Sequence, residues 1–234
     1  MGADSLADLL ARRTIWRGSL PASLQGERTG HAALDRILPG RGWPTASLVE
    51  ILLARPGIGE LSLLATTLRH RRQSWVAPPH QPYAPALASL GLDLQHLLII
   101  NPPSAQDSLW ACEQLLRAGT EQQVLCWQGA VDTTGLRRLQ LAAEAGQSRL
   151  FLFRSPHTRA QASPAALRIS LKPTASGLLI DVFKVRGGHP ASCELARVDD
   201  GERLHFRSVV AGSARHIATA DAGDAPAGRA RLAV

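Results

Sequence analysis

One short stretch has the residue types and spacing of a loop that binds phosphate between a strand and a helix. It runs from Ala54 to Gly59 and continues into Glu60 and Leu61. Such loops follow the pattern G-x-x-x-x-G-K-[ST], in which glycines turn backbone N–H groups towards the phosphates, the Lys binds the terminal phosphates and the hydroxyl binds Mg²⁺. Here Ala54 replaces the first Gly, Glu60 the Lys and Leu61 the hydroxyl. The sequence therefore predicts a loop without the groups that a nucleotide needs.

The charge of Glu60 decides what the loop can bind. A cation about 4 Å from a phosphate charge is worth roughly 4 kcal/mol at an effective dielectric near 20, and a carboxylate turns this attraction into repulsion of similar size. We therefore expect the loop to repel ATP. An ordinary turn containing Gly57 and Gly59 before an amphipathic helix accounts for the same residues, and this segment alone does not separate the two interpretations.

Composition indicates one globular domain with extensions. The 234 residues are 45% hydrophobic, which is enough for one sizeable core. The net charge of +7 favours an anionic partner such as nucleic acid. Nearly all of this charge comes from Arg, a bias that genome composition also produces, so direct DNA binding stays open.

The cysteines and histidines do not form a recognisable site. The three cysteines show no C-x-x-C spacing, so we expect reduced core thiols and no zinc site. The histidines are scattered, and we expect neither a bound metal nor a cofactor. No apolar run reaches the roughly 18 residues that span a bilayer, and the first residues do not resemble a signal peptide, so we expect a cytoplasmic protein.

Alternating apolar patterns predict an α/β fold with a mainly parallel, twisted sheet flanked by helices. The predicted strands are 47–53, 75–77, 97–100, 124–127 and 150–153, with 97–100 expected to be buried. The predicted helices are 60–72, 85–90, one between Ser104 and Gly119, and 134–145. Ser104 and Asp107 form a capping box, and Gly119 and Gly146 mark helix ends.

The last part of the chain differs from this alternation. Residues 167–171 and 178–185 have the period of two that is typical of strands, so we expect an antiparallel hairpin at the sheet edge. We divide the chain into an N-terminal helix and linker (1–28), one core domain with the degenerate loop (29–210) and a tail expected to be disordered (211–234).

The order of several segments resembles the RecA recombinase family. The matching pieces are 29–35, 39–44 and 48–51 before the loop, then 83–94, 112–119 and 182–186 after it. The resemblance covers roughly residues 29–190 and implies a RecA-like core with an antiparallel edge hairpin.

The same resemblance implies that the ATPase positions are lost. The family's catalytic carboxylate falls at Pro79, and its Mg²⁺-associated Asp falls at Gln128. With Glu60 and Leu61, four positions are replaced together, which implies a protein that is not an enzyme. The family's two DNA-binding loops are shortened here, at 129–134 and 155–166. A divergent ATPase remains an alternative.

Two further segments, 55–61 and 75–87, together with a Leu-rich N-terminal helix, resemble the SulA-like ImuA family specifically. That resemblance implies an accessory protein of SOS, DNA-damage-induced translesion synthesis and mutagenesis. Its implied partners are RecA, an ImuB-type polymerase-like protein and an error-prone C-family polymerase, and it would associate with the nucleoid when engaged. A SulA-type division inhibitor that binds FtsZ is the alternative.

Two sets of residues are candidates for contacts with partners. Leu6, Leu9 and Leu10 lie on one face of the N-terminal helix and, with Trp16, could dock onto a RecA protomer; the alternative is that this helix covers its own core. Six arginines could follow a DNA backbone: Arg69, Arg71, Arg72, Arg137, Arg138 and Arg159. The alternative for Arg69, Arg71 and Arg72 is that the helix dipole favours cations at a helix C-terminus.

The tryptophans fall into two groups, one expected in the core and one with an open role. Trp75, Trp110 and Trp127 fall in apolar elements, and we expect them in the core. Trp43, like Trp16, lies beside Arg or Gly outside the predicted elements, where an interface anchor and simple packing are both reasonable.

Overall fold

The computed structural model describes residues 26–69, 71–120, 123–199 and 204–208. Leu6, Leu9, Leu10 and Trp16, the predicted N-terminal helix and the predicted tail lie outside these residues. The strands of the described part are β1 (Gly26–Glu27), β2 (Trp43–Pro44), β3 (Leu48–Leu52), β4 (Gln73–Val76), β5 (Leu97–Ile100), β6 (Gln123–Trp127), β7 (Arg149–Arg154), β8 (Leu167–Pro173), β9 (Gly177–Val185), β10 (Ala191–Asp199) and β11 (Leu204–Ser208). The α-helices are α1 (Ala32–Ile37), α2 (Glu60–Leu68), α3 (Ala84–Ser89), α4 (Ala105–Ala118) and α5 (Thr133–Ala145).

The strands from β3 onwards form one mixed sheet with the order β11-β10-β9-β8-β3-β7-β6-β4-β5. Six strands run parallel to one another, in the order β8, β3, β7, β6, β4 and β5. From β8 the sheet continues in the other direction as an antiparallel meander of β8, β9, β10 and β11. The prediction of a mixed α/β fold with a mainly parallel sheet and an antiparallel hairpin is confirmed. Strands β1 and β2 form a separate two-stranded ribbon.

Each face of the sheet has its own core because successive side chains of a strand point to opposite faces. On one face, α1, α2 and α3 pack on a cluster that includes Val49, Trp75 and Phe151. On the other face, α4 and α5 pack on a cluster that includes Leu48 and Leu150. The central parallel strands β3, β6 and β7 are covered on both sides, which explains their nearly continuous apolar runs.

The position of the hairpin differs from the prediction. Strand β8 pairs in parallel with β3, which places the hairpin β8–β9 inside the strand order. Strands β10 and β11 continue the meander, and β11 is outermost among the described strands on that side. The sequence analysis assigned no strand to β10 or β11, although both alternate between apolar and polar residues, with Cys193 and Leu195 in β10 and Leu204 and Phe206 in β11.

Strand β5 was expected to be buried, and this was wrong. It is the outermost described strand at the other end of the sheet, where Leu98 is 48% and Ile99 is 37% exposed. An apolar run of four residues does not distinguish a central strand from an outer one. The predicted helix at 60–72 also ends earlier, at Leu68, because Arg69 adopts an extended conformation.

The helix ends follow the predicted chemistry with one difference. The Ser104 hydroxyl accepts a hydrogen bond from the Asp107 N–H and begins α4, as expected. Gly119 ends α4 in the left-handed conformation, with φ at 67°. Gly146 ends α5 with φ at −92°, so its lack of a side chain matters for another reason. A Cβ at Gly146 would lie 1.8 Å from the Leu116 carbonyl oxygen, and the glycine therefore lets the ends of α4 and α5 approach closely.

Candidate functional site

The degenerate loop connects β3 to α2 at the carboxyl end of the parallel strands, which is where open α/β sheets bind ligands. The side chain of Glu60, the first residue of α2, folds back into this loop. Its carboxylate accepts hydrogen bonds from three successive backbone N–H groups: Gly57 at 2.8 Å, Ile58 at 3.0 Å and Gly59 at 3.2 Å. Glu60 is only 4% exposed. The carboxylate thus takes the position of an anion in a cradle of N–H groups.

The two loop glycines make this cradle possible in different ways. Gly57 and Gly59 have φ angles of 83° and 112°, in the left-handed region that lets successive N–H groups converge. Space around Gly57 is open, whereas a Cβ at Gly59 would lie 2.4 Å from the Phe206 ring. Phe206 of β11 is 7% exposed and belongs to the core cluster under α2. The last described strand therefore covers the loop at Gly59.

The position of the Glu60 carboxylate gives a second reason, besides charge repulsion, for the loop not to bind ATP. The predicted repulsion assumed an open loop with a carboxylate at its rim, but the carboxylate lies inside and uses the N–H donors itself. A triphosphate would have to displace it and would also meet Phe206 near Gly59. No local pattern pointed to Phe206, because the contact joins residues that are far apart along the chain.

The other predicted positions of the degenerate site lie along the same edge of the sheet. Ala54 follows the end of β3 and is exposed, while Leu61 is half-buried and packs against the core beneath α2. Pro79 follows β4 and Gln128 follows β6, so both stand after the carboxyl ends of parallel strands. Neither Pro79 nor Gln128 carries the carboxylate that nucleotide hydrolysis would use there.

A second buried carboxylate, which the sequence analysis did not single out, lies in β3 on the opposite face. Glu50 is fully buried and forms ion pairs with Arg154 of β7 at 3.0 Å and Arg168 of β8 at 3.4 Å. The Ser163 hydroxyl donates a short hydrogen bond to the other carboxylate oxygen. Burial lowers the pKa of Arg168 from its usual value, and Glu50 acts in the opposite direction.

The cations around Glu50 hold two loops by their backbone carbonyls. Arg154 donates to Gly129 and Val131, and Arg168 donates to Thr158, Arg159 and Gln161. Lys184 of β9 donates to the carbonyl of Ser163. These are the loops at 129–134 and 155–166 that the sequence analysis considered shortened. Their backbone is fixed to the sheet by side-chain cations.

The six candidate DNA-contact arginines do not form one surface. Arg69, Arg71 and Arg72 precede β4 at the amino end of the parallel strands, whereas Arg159 follows β7 at the carboxyl end. Several are engaged within the protein: Arg71 with Glu27 at 2.9 Å, Arg159 with Asp181 at 2.8 Å, Arg138 with Glu113, and Arg69 with the Leu90 carbonyl at 3.1 Å. Arg137 and Arg138 lie on α5, where both are exposed. Arg159 also lies 4.1 Å over the Phe183 ring.

The tryptophans confirm the core prediction in part. Trp75 is buried, and Trp127 is half-buried and stacks on Phe153 with ring centroids 4.7 Å apart. Trp43 is fully buried in β2, which favours simple packing over an interface anchor. The prediction for Trp110 was wrong, because this residue is 60% exposed on the outer side of α4.

The remaining chemistry-bearing residues do not assemble into a further site. All three cysteines are free; Cys112 and Cys126 are buried, and burial raises the pKa of the Cys193 thiol to about 12. Within the described ranges, no group of three or more His, Cys, Asp or Glu side chains could hold a metal ion. No helix of those ranges is long and apolar enough to cross a membrane.

Comparisons with known proteins found similarities to SulA proteins over part of the chain. No model of a protein family matches the sequence. The cell division inhibitor SulA of Edwardsiella piscicida is 31% identical over 78 residues, which are 33% of this chain and 46% of that protein. The chain therefore spans about half the length of the curated relative it matches. The crystal structure of SulA from Pseudomonas aeruginosa aligns with 46% of this chain and 97% of that chain at 24% identity and a TM-score of 0.40.

Proposed function

We propose that this protein is a non-catalytic accessory protein with a RecA-like core, of the ImuA type, that acts in SOS, DNA-damage-induced translesion synthesis. It works through contacts with RecA, an ImuB-type polymerase-like protein and an error-prone C-family polymerase. DNA is reached directly or through these partners. The motif resemblance of residues 55–61 and 75–87 supports the ImuA assignment, and the loop between β3 and α2 at the carboxyl edge supports the RecA-like core.

The position of the Glu60 carboxylate carries the non-catalytic part of the proposal. Its contacts to the N–H groups of Gly57, Ile58 and Gly59 use the donors that would otherwise bind a phosphate. A phosphoryl-transfer site also needs groups that hold Mg²⁺ and activate a nucleophile. Leu61 lacks the hydroxyl, and Pro79 and Gln128 lack the carboxylates, that fill these roles in the RecA family. The scaffold is therefore free to serve as a contact surface.

A SulA-type division inhibitor that binds FtsZ is the second candidate. The 31% identity to the SulA of Edwardsiella piscicida over 78 residues favours it, and an SOS role is common to both candidates. The region that precedes β3, including Thr29 to Pro44, matches the RecA-like pattern and favours the mutagenesis accessory.

Titration with Mg·ATP, followed by tryptophan fluorescence, tests the non-catalytic assignment. Trp127 stands next to Gln128 at the carboxyl edge and should report a bound nucleotide. We expect no change at micromolar ATP, because the loop N–H groups are already occupied. Micromolar affinity or ATP turnover would favour the third alternative, a divergent ATPase.

Co-purification separates the two adaptor functions. The protein is mixed in turn with RecA, an ImuB-type protein, a C-family polymerase and FtsZ, each purified, and complexes are separated by size. We expect a complex with at least one of the first three and none with FtsZ. A complex with FtsZ alone would replace the mutagenesis function with the division-inhibitor function.

A further inference from the structure

The outer side of α4 and α5 carries two large apolar side chains that no helix covers in the described part of the structure. Trp110 of α4 is 60% exposed, and Leu141 of α5 is 51% exposed. Trp110, Gln114 and Arg117 share one stripe of α4 because they are spaced i, i+4 and i+7. Thr134, Arg138 and Leu141 share a stripe of α5 for the same reason. An exposed Trp beside arginines is the composition that dominates protein interfaces.

Two arginines on these stripes are held in place by one carboxylate. Glu113 is 6% exposed, and its two oxygens contact Arg117 of α4 at 2.8 Å and Arg138 of α5. Both contacts use Nη2, while the Arg117 and Arg138 side chains remain 57% and 61% exposed. The Nε and Nη1 groups of these two arginines have no hydrogen-bond partner among the described residues. A guanidinium presents these donors as a planar fork that fits a carboxylate.

The two helices are also fixed relative to each other. They pack side by side on the same sheet face, and Gly146 allows the end of α5 to approach the Leu116 carbonyl of α4. Glu113 joins them again at mid-length through Arg138. A surface built on rigid elements loses little freedom when a partner binds.

We propose that the outer face of α4 and α5, formed by Trp110, Arg117, Arg138 and Leu141, docks an acidic amphipathic helix of a partner protein. The partner places an apolar side chain against Trp110 and Leu141, and its carboxylates accept hydrogen bonds from the unused edges of Arg117 and Arg138. Side chains on a helix surface form ridges and grooves, so two helices packed side by side can receive a third helix. This inference rests on the proposed adaptor function and names the surface that it uses.

The charge and shape of the surface favour an acidic peptide over nucleic acid. Glu113 neutralises one of the two arginines. The surface therefore orients the carboxylates of a partner more than it attracts anions through a strong positive potential. Leu141 has no ring on which a base could stack, whereas an apolar side chain packs on Leu141 and Trp110 alike. A single-stranded DNA oligonucleotide is therefore a competing probe in the test.

Binding experiments with matched variants test the surface. The probes are the purified RecA, ImuB-type and C-family polymerase proteins, a synthetic helical peptide of Leu and Glu, the same peptide with every Glu replaced by Gln, and a single-stranded DNA oligonucleotide. Trp110→Ala and Arg117→Gln/Arg138→Gln should weaken binding of the protein partner and the Glu peptide about tenfold or more. Tyr83→Ala, which removes a 70% exposed aromatic elsewhere, and Arg36→Gln, at an exposed arginine of α1 on the other face of the sheet, should leave binding within about twofold.

Folding of the variants is controlled separately. Loss of both arginines leaves the buried Glu113 carboxylate without a cation, so a second charge variant also carries Glu113→Gln. This triple variant keeps the neutral polar group and should show the same loss of binding. Melting temperatures are measured for all variants, and Trp110→Ala should melt like the wild type because Trp110 is mostly exposed.

The outcomes separate this inference from the proposed function. If a partner protein binds and the surface variants bind equally well, the surface is wrong and the adaptor function stands. If no partner protein binds but the Glu peptide does, with the expected losses, the surface stands and the proposed function falls. Failure of both, no preference for the Glu peptide over its Gln counterpart, or losses confined to the DNA oligonucleotide would overturn the inference.

Discussion

Glu50 and Glu60 are buried carboxylates ten residues apart in the same strand–loop–helix unit, and they stabilise the fold in different ways. Among the described residues, Glu60 accepts hydrogen bonds from the backbone N–H groups of its own loop. Glu50 contacts Arg154, Arg168 and Ser163, which come from distant parts of the chain. The first closes a local turn that would otherwise need an external anion. The second joins three strands and two loops, so its loss should be felt much more widely.

Removal of the Glu50 carboxylate should have the largest effect. Glu50→Ala leaves Arg154 and Arg168 buried without their counter-ion, and breaking a buried pair in this way costs about 3–5 kcal/mol. The free energy of unfolding measured with urea should fall by this amount. Glu194→Ala, at a half-buried residue of β10 whose carboxylate accepts hydrogen bonds only from the exposed hydroxyls of Thr174 and Ser176 among the described residues, serves as the control and should change stability much less. A loss below about 1 kcal/mol for Glu50→Ala would remove the distinction between the two carboxylates.

A side chain at Gly59 should have the next largest effect. Gly57→Ala and Gly59→Ala both place a Cβ at positive φ, which costs roughly 1–2 kcal/mol. Gly59→Ala also meets the Phe206 ring, and such overpacking adds about 1–3 kcal/mol. The difference in unfolding free energy between the two variants isolates the ring contact. This difference should largely disappear when both variants are made in a Phe206→Ala protein. A difference of the same size with and without the Phe206 ring would contradict the contact.

Loss of the Glu60 carboxylate should have a smaller, local effect. Glu60→Ala frees three N–H groups at a helix N-terminus and should lower the unfolding free energy by about 1–2 kcal/mol. Millimolar inorganic phosphate should then raise the melting temperature of Glu60→Ala, because the cradle is empty, and should change the wild type little. Equal stabilisation of both proteins by phosphate would mean that the carboxylate does not occupy the cradle.

Protonation of His31, which contacts α2, should have the smallest effect on stability. His31 is buried with its Nε2 3.2 Å from the Leu63 carbonyl, and burial lowers its pKa below the usual value, opposed by that hydrogen bond and by Asp35. The unfolded chain therefore binds a proton near pH 6.5 that the folded protein resists, so stability falls as the pH drops below about 6.5. His31→Gln should lose less stability between pH 7.5 and 5.5 than the wild type. Identical pH profiles in urea unfolding would exclude His31 as the cause.

The local part of the fold could be predicted from the sequence, because it depends on neighbouring residues. The strand at Leu97–Ile100, the cap at Ser104 and the helix end at Gly119 all follow from short patterns. The outer position of β5 and the exposure of Trp110 could not, since an apolar residue has the same local pattern whether or not another element covers it.

The candidate site shows the same limit. Ala54, Glu60 and Leu61 were enough to predict a loop that lacks the groups for a nucleotide. The inward turn of the Glu60 side chain depends on the geometry of Gly57 and Gly59. The Glu50 cluster and Phe206 arise from pairing between strands that are distant in sequence, which no local pattern reports.

The contact between Phe206 and Gly59 also has a consequence for synthesis on the ribosome. The loop emerges about 150 residues before β11, so α2 and the parallel strands can begin to form while Gly59 is still uncovered. Only when residues 204–208 leave the exit tunnel can the ring settle on the loop. During that interval the nascent chain displays its degenerate loop to solvent or to a chaperone, and closure of the loop is one of the last events of its folding.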